Sequence, residues 1–292
     1  MVEKFLDYIK FERNYSPMTV INYRKDLTEF ERFYKELEPQ LSWESIDSDI
    51  VRNWMEYMMD RGNSASSVNR RLSALRSFYR FALRRKLIEK DPAHGLQGPK
   101  KQKPLPQFLK ESEMESLLDS KMWGDSYKDV LERTIIITFY VTGIRLSELI
   151  GLDDKDIDNI TCEIKVTGKR NKQRIIPFGK ELADVFVQYL QVRNTTVKGD
   201  STSFFQTEKG KRMTTTQVRS LVKKNLSKVS TLKKRSPHVL RHTFATAMLN
   251  HEAGLESVKK LLGHESLSTT EIYTHTTFEQ LKKVYKNAHP RA

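Results

Sequence analysis

Two helical domains, the second interrupted by one small antiparallel β-hairpin, are the architecture that these 292 residues predict. Three observations carry that mainly α reading. Apolar side chains recur at three- and four-residue spacing through most of the chain. Residues 91–107, DPAHGLQGPKKQKPLPQ, hold four prolines, two glycines and three lysines, the composition of a linker. Residues 160–178 stand apart: Ile164 and Val166 alternate with polar residues, a polar turn runs from Gly168 to Gln173, and Arg174-Ile175-Ile176-Pro177 returns.

Residues 1–90 read as four helices. The first, 2–13, places Phe5, Leu6, Tyr8, Ile9 and Phe11 on a broad apolar stripe. Ser16-Pro17 is an N-cap followed by proline at the first helical position. The helix it opens carries Val20, Tyr23, Leu27, Phe30 and Phe33-Tyr34 at helical spacing. A third starts near Ser45 and carries Ile50, Val51, Trp54, Tyr57 and Met58, until Gly62-Asn63-Ser64 breaks it. The fourth, about 65–85, turns Val68, Leu72, Leu75, Phe78-Tyr79 and Ala82 inward.

The fourth helix is also a run of cations. Arg70, Arg71, Arg76, Arg80, Arg84, Arg85 and Lys86 follow one another with no intervening acid. A solvated face normally mixes both signs. Arg70, Arg71, Arg76 and Arg80 are therefore expected to contact a phosphate backbone.

The second domain spans 108–292. Ser112-Glu113-Met114-Glu115 offers a capping box. Residues 127–142 form a helix with the apolar centre Ile135-Ile136-Ile137-Thr138-Phe139-Tyr140-Val141, closed by Gly143. After the hairpin, helices are expected at about 180–193, 215–228, 237–251, 256–262, 268–274 and 278–287.

Bulk properties narrow the function. The formal charge is +14 and the pI about 9.6, which favours a polyanionic partner, nucleic acid before a membrane surface. No apolar run approaches the roughly 20 residues of a membrane span. The N-terminus lacks a signal-peptide core, and Cys162 is the single cysteine, so no internal disulfide forms and a cytoplasmic setting is expected.

Several polar groups suit phosphodiester chemistry without a metal. Ser236-Pro237-His238-Val239-Leu240-Arg241-His242 puts His238 and Arg241 one turn apart. Leu261-Leu262-Gly263-His264 adds His264, and Ser268-Thr269-Thr270-Glu271-Ile272-Tyr273 adds Tyr273. Upstream, Thr142-Gly143-Ile144-Arg145-Leu146-Ser147-Glu148 supplies Arg145 and Glu148. Singly, each has an ordinary alternative: Arg145 and Glu148 as a helix ion pair, Tyr273 as a core aromatic. His238 and His242 have the spacing of a zinc pair. Val239 stands where the zinc motif needs glutamate, and Cys162 has no thiolate partner, so no metal or other cofactor is expected. Residues 255–274 also imitate a helix-turn-helix, which leaves open a DNA-binding regulator without chemistry.

Taken in order and spacing, the segments TGIRLSEL, VTGKRNKQR, PHVLRHTFAT, LLGH and STTEIYTH resemble those of the tyrosine recombinases, the phage-integrase-type site-specific recombinases. The resemblance spans essentially the whole chain, and the ending Val284-Tyr285-Lys286-Asn287-Ala288-His289 is similar to the Xer branch. It implies a core-binding domain at 1–90, a linker at 91–107 and a catalytic domain of the DNA breaking-rejoining fold at 108–292. By position it implies an active site of Arg145, Lys169, His238, Arg241, His264 and Tyr273. Arg145 and Arg241 stabilise phosphate charge, Tyr273 is the nucleophile of a 3′-phosphotyrosine intermediate, and Lys169 protonates the leaving 5′ oxygen. His238 takes the tyrosine proton, His264 donates to a phosphate oxygen, and Glu148 orients Arg145 or His238. Many relatives read Gly-Lys-Gly at the hairpin turn, where this chain has Gly168-Lys169-Arg170, so Lys172 is the alternative lysine and a further candidate DNA contact. The implied partners are double-stranded DNA sites and a tetramer with self or a paralogous recombinase, the last helix docking into a neighbouring protomer. The implied role is Xer-type resolution of chromosome dimers, with a mobile-element integrase, a DNA invertase and a type IB topoisomerase as competing readings.

Overall fold

A computed structural model describes residues 1–101, 107–168, 172–199, 201–263 and 275–291, with 275–280 by their backbone alone. It divides into two compact units, residues 1–104 and 105–292. Among the described residues the structure is mostly helical, with one small antiparallel sheet.

In the first unit, α1 (Val2–Asp7) continues into a π-helical turn at Tyr8–Glu12, followed by α2 (Pro17–Leu37), α3 (Ser48–Asp60) and α4 (Ala65–Arg84). The starts are set locally. Ser16 accepts from the Thr19 N–H at 3.3 Å, and Asp47 accepts from Asp49 and Ile50, both at 2.9 Å. Ser64 accepts from the Ser67 N–H at 3.2 Å. The core is aromatic: Phe30 lies 4.8 Å from Trp54, and Trp43 lies 4.6 Å from Phe78, between ring centroids.

Two expectations need correction here. The third helix starts at Ser48, not near Ser45, because Trp43 and Ile46 are buried in the turn before it and Asp47 supplies the cap. Phe11, placed on the inward stripe, is 65 % exposed with the Lys10 ammonium 4.5 Å from its ring. The π-helical turn, closed by Arg13 N–H to Tyr8 O at 3.0 Å, takes more residues per turn and rotates Phe11 out of register.

The second unit comprises α5 (Glu111–Leu118), α6 (Tyr127–Thr142), α7 (Leu146–Gly151), β1 (Ile157–Asp158), β2 (Glu163–Thr167), β3 (Gln173–Pro177), α8 (Lys180–Thr196), α9 (Thr215–Val229), α10 (Pro237–Asn250), α11 (Leu255–Leu262) and α12 (His275–Ala288). From Thr134 to Thr142 α6 is buried on every side, as a helix stretch without a polar face must be. Its buried threonine hydroxyls are satisfied within the helix, Thr134 on Val130 O at 2.7 Å and Thr138 on Thr134 O at 2.6 Å. The sheet runs β1-β2-β3, antiparallel throughout, with Val166 opposite Arg174 and Thr167 opposite Gln173.

The cap of α5 also differs from expectation. The Glu113 carboxylate accepts the Lys110 N–H at 2.8 Å, so Lys110 and not Ser112 heads the helix. Strand β1 and helix α7 are additions to the expected elements. The helix expected at 268–274 lies outside the described residues. α12 begins at His275, earlier than the expected 278, and, instead of projecting toward a neighbouring protomer as expected, rests on its own unit, with Leu281, Tyr285 and Ala288 buried. His289 follows, buried between Phe244 and Tyr285, which stack on it at 5.5 and 5.3 Å.

Candidate active site

α6 ends at Gly143 in the left-handed conformation, with φ of 58°. A side chain there is excluded twice, since a Cβ atom would lie 2.5 Å from a ring carbon of Phe244 and 2.9 Å from a Leu262 methyl carbon. Gly143 thus brings the C-terminus of α6 against α10 and α11, and Arg145 follows two residues later at the N-cap of α7. Glu148, one turn into α7, accepts the Arg145 N–H at 2.8 Å and the Arg145 guanidinium at 2.8 Å.

The same carboxylate accepts two more bonds, from Arg174 on β3, at 2.6 and 2.9 Å. This is a forked guanidinium–carboxylate pair in a nearly closed setting, for the Glu148 side chain is 1 % and the Arg174 side chain 10 % exposed. Burial alone would raise the Glu148 pKa, but the hydrogen bonds and charges of Arg174 and Arg145 hold it down at about 2. Glu148 is ionised at any working pH.

Arg241, on the buried face of α10, completes the cluster. It donates to Gly143 O at 2.5 Å and to Leu262 O at 2.6 Å, tying the ends of α6 and α11 together. Burial, with the positive charges of Arg145 and Arg174 beside it, pulls its pKa down to about 10. The guanidinium remains charged near neutrality.

The C-terminus of α11 is the common anchor. Three successive carbonyls, of Leu261, Leu262 and Gly263, accept from Arg174 at 3.2 Å, Arg241 at 2.6 Å and Arg145 at 2.6 Å. Helix ends leave such carbonyls without helical partners and carry partial negative charge, so cations are favoured there. Gly263 closes α11 with φ of 64°, and a Cβ atom on it would meet the Arg174 side chain at 3.1 Å. Among the described residues, three guanidiniums and one carboxylate leave the cluster two positive charges in excess, a setting for one phosphodiester. The Arg145 side chain is 35 % exposed and available to an incoming anion.

His238 lies in the first turn of α10, exposed, after Ser236 and Pro237. Its pKa is lowered, first by desolvation and then by the charges of His242, Arg241 and Arg219. The shift favours the neutral imidazole, the form able to accept a proton.

Arg145, Arg241 and Glu148 are thus brought together, with His238 one turn from Arg241 on the same helix. Lys169, His264 and Tyr273 lie outside the described residues. Their described neighbours are near the cluster: a Cβ atom on Gly168 would lie 3.4 Å from a Glu148 oxygen, and Gly263 accepts from Arg145. Gly168 N–H donates to Lys172 O at 2.7 Å across the hairpin turn. Glu148 was expected to orient Arg145 or His238; it binds Arg145, and its other partner is Arg174. Sequence reading overlooked Arg174, although its place opposite Val166 beside a glycine turn was a legible signal.

The expected DNA contacts divide. Arg70 forks onto Asp26 of α2, whose side chain is 4 % exposed, and Arg71 pairs with Glu29 at 2.7 Å. Arg76 donates to Leu96 O. Arg80 and Lys172 are exposed.

Comparison with known proteins places the chain in a family. Residues 107–280 match the phage integrase family, and residues 2–86 match the phage integrase N-terminal SAM-like domain. The tyrosine recombinase XerC of Chlorobaculum parvum is 36 % identical, covering 100 % of this chain and 94 % of its own. That of Listeria innocua is 39 % identical, covering 99 % and 97 %. Among solved structures, the Tn1549 transposon integrase shares the fold with a TM-score of 0.74 at 21 % identity, covering 96 % of this chain and 97 % of that one. The chain belongs to the phage integrase family, as a tyrosine recombinase of the Xer type.

Proposed function

We propose that this enzyme performs its site-specific recombination by attack of Tyr273 on a DNA phosphate, resolving chromosome dimers in the cytoplasm. The observation that carries this reading is the convergence of Arg145 and Arg241 on consecutive carbonyls at the end of α11, immediately before His264 in the chain.

The Tyr273 hydroxyl oxygen bonds to phosphorus as its proton passes to His238. The P–O5′ bond breaks, and Lys169 protonates the departing 5′ oxygen. Arg145, Arg241 and His264 stabilise the charge gathering on the nonbridging oxygens. The 3′-phosphotyrosyl bond conserves the energy of the broken strand, so a 5′-hydroxyl from another duplex closes it without ATP. Four protomers on two sites exchange two strands at a time, with self or a paralogue as partner.

Binding to DNA sites is supported by the charge of +14 and by two solved neighbours, the Tn1549 integrase in complex with circular intermediate DNA and XerH bound to difH substrate. No helix among the described residues is long and apolar enough to cross a membrane.

A nicked suicide substrate tests the reading. Wild-type protein should accumulate a covalent protein–DNA adduct in EDTA, and Tyr273→Phe should bind the same DNA and form none. An undiminished adduct from the variant, or a requirement for an added divalent ion, would refute it.

A further inference from the structure

We propose that Arg174 is a positioning residue for the recombination reaction: it neutralises Glu148, so that Arg145 keeps its charge for the phosphate, and it locks the β-hairpin to the end of α11. The inference rests on the reading of Arg145 as a phosphate ligand.

Among the described residues, Glu148 is a buried carboxylate with two cationic partners. Arg174 is the more enclosed of them and takes both oxygens in a fork, whereas Arg145 reaches one oxygen with one nitrogen and turns its second nitrogen to Gly263 O at 2.6 Å. With Arg174 present, the carboxylate is satisfied and Arg145 is held in place without being neutralised. With Arg174 absent, the buried charge of Glu148 falls, among the described residues, on Arg145. A buried carboxylate deprived of its main partner draws strongly on the cation that remains. Arg145 is then pulled towards Glu148 and away from an entering phosphate.

Arg174 acts on two further parts. Its Nε donates to Leu261 O at 3.2 Å, two residues before Gly263, and its side chain packs where a Cβ atom of Gly263 would stand. Its backbone pairs with Val166 on β2, one residue pair from the end of the ladder that precedes the turn. One side chain therefore connects α7, β3 and α11, the three elements whose ends lead to Arg145, Lys169 and His264 in the chain.

The test is the single-turnover rate of adduct formation on the nicked substrate, at saturating protein, beside the DNA dissociation constant and the melting temperature of each variant. Arg174→Ala should slow adduct formation roughly 10²-fold, the scale of a lost charge-stabilising contact, with affinity changed by only about twofold. Arg174→Lys, which restores a charge but not the fork, should recover part of that loss. The deciding variant is Glu148→Gln combined with Arg174→Ala. With the carboxylate gone, the need for Arg174 falls, and the double variant should react faster than Arg174→Ala alone. A merely structural role predicts the opposite order, because two sets of bonds are then lost. An Arg174→Ala rate equal to wild type, or a double variant slower than Arg174→Ala, overturns the proposal. If Arg174→Ala fails to fold, Arg174→Lys decides: a wild-type rate overturns the proposal, and a slowed rate at unchanged affinity and melting temperature supports it. Absence of adduct from wild-type protein would instead overturn the tyrosine-attack reading, and this inference with it.

Discussion

Arg145 and Glu148, one helical turn apart, are joined twice: one Glu148 oxygen accepts the Arg145 backbone N–H and the other accepts its guanidinium, both at 2.8 Å. The first bond caps α7 and the second aims the side chain, so a helix start and a candidate phosphate ligand are the same piece of structure. Removing the guanidinium leaves the cap intact. Arg145→Ala, and likewise Arg241→Ala, is expected to cut adduct formation by about 10²–10³ while changing DNA affinity only a few-fold. Parallel cleavage and filter-binding assays check this.

Gly143 joins the core to the site, so its replacement reaches both. Gly143→Ala forces a side chain into a left-handed backbone and against Phe244. The two penalties together are about 2–4 kcal/mol. Urea unfolding should show that loss, and folded variant protein should also cleave poorly, because Arg241 donates to Gly143 O.

The arginines of α4 should separate into two kinds. Arg70→Gln breaks a fork on the buried Asp26 and is expected to destabilise the first unit by about 1–3 kcal/mol. Arg80→Gln, at an exposed position, should leave stability unchanged, weaken DNA binding and reduce the slope of log affinity against log salt by about 1. Thermal melts and salt titrations of the two variants distinguish the roles.

His289 predicts a pH dependence of stability. Its Nδ1 accepts the Arg291 N–H at 3.1 Å and its Nε2 meets Tyr140 O at 3.2 Å, which places the single ring proton on Nε2. Burial is the main cause that lowers its pKa to about 4, from an ordinary value of 6.5. Between those values the unfolded chain binds the extra proton and the folded one does not. Stability therefore falls as pH drops through this window, by about 3 kcal/mol in all. Melting temperatures at pH 7 and pH 4.5 should differ clearly for wild type and less for His289→Gln.

Much of this protein was legible before any coordinates. Helix starts at Ser16 and Ser64, and the stop at Gly143, depend on bonds between residues three or four apart, which local sequence displays. The inward faces of α2 and α4 follow from spacing alone, and the order of the site segments pointed to a recombinase. The misplacements were also local in origin: a π-helical turn moved Phe11 outward, and Asp47 caps the helix that was expected to start near Ser45.

Partnership was another matter. The run of arginines in α4 has no acid within it, yet Arg70 and Arg71 find acids on α2, forty or so residues earlier. Arg174 passed as one more polar residue of a hairpin until folding set it on Glu148, 26 residues away, and on Leu261 O, 87 residues away. Periodicity and capping are short-range and leave their mark in consecutive residues. The pairing of long charged side chains depends on which helix ends the fold brings together, so chain order settled the elements and the family, and three-dimensional packing settled which arginines the buried carboxylate holds.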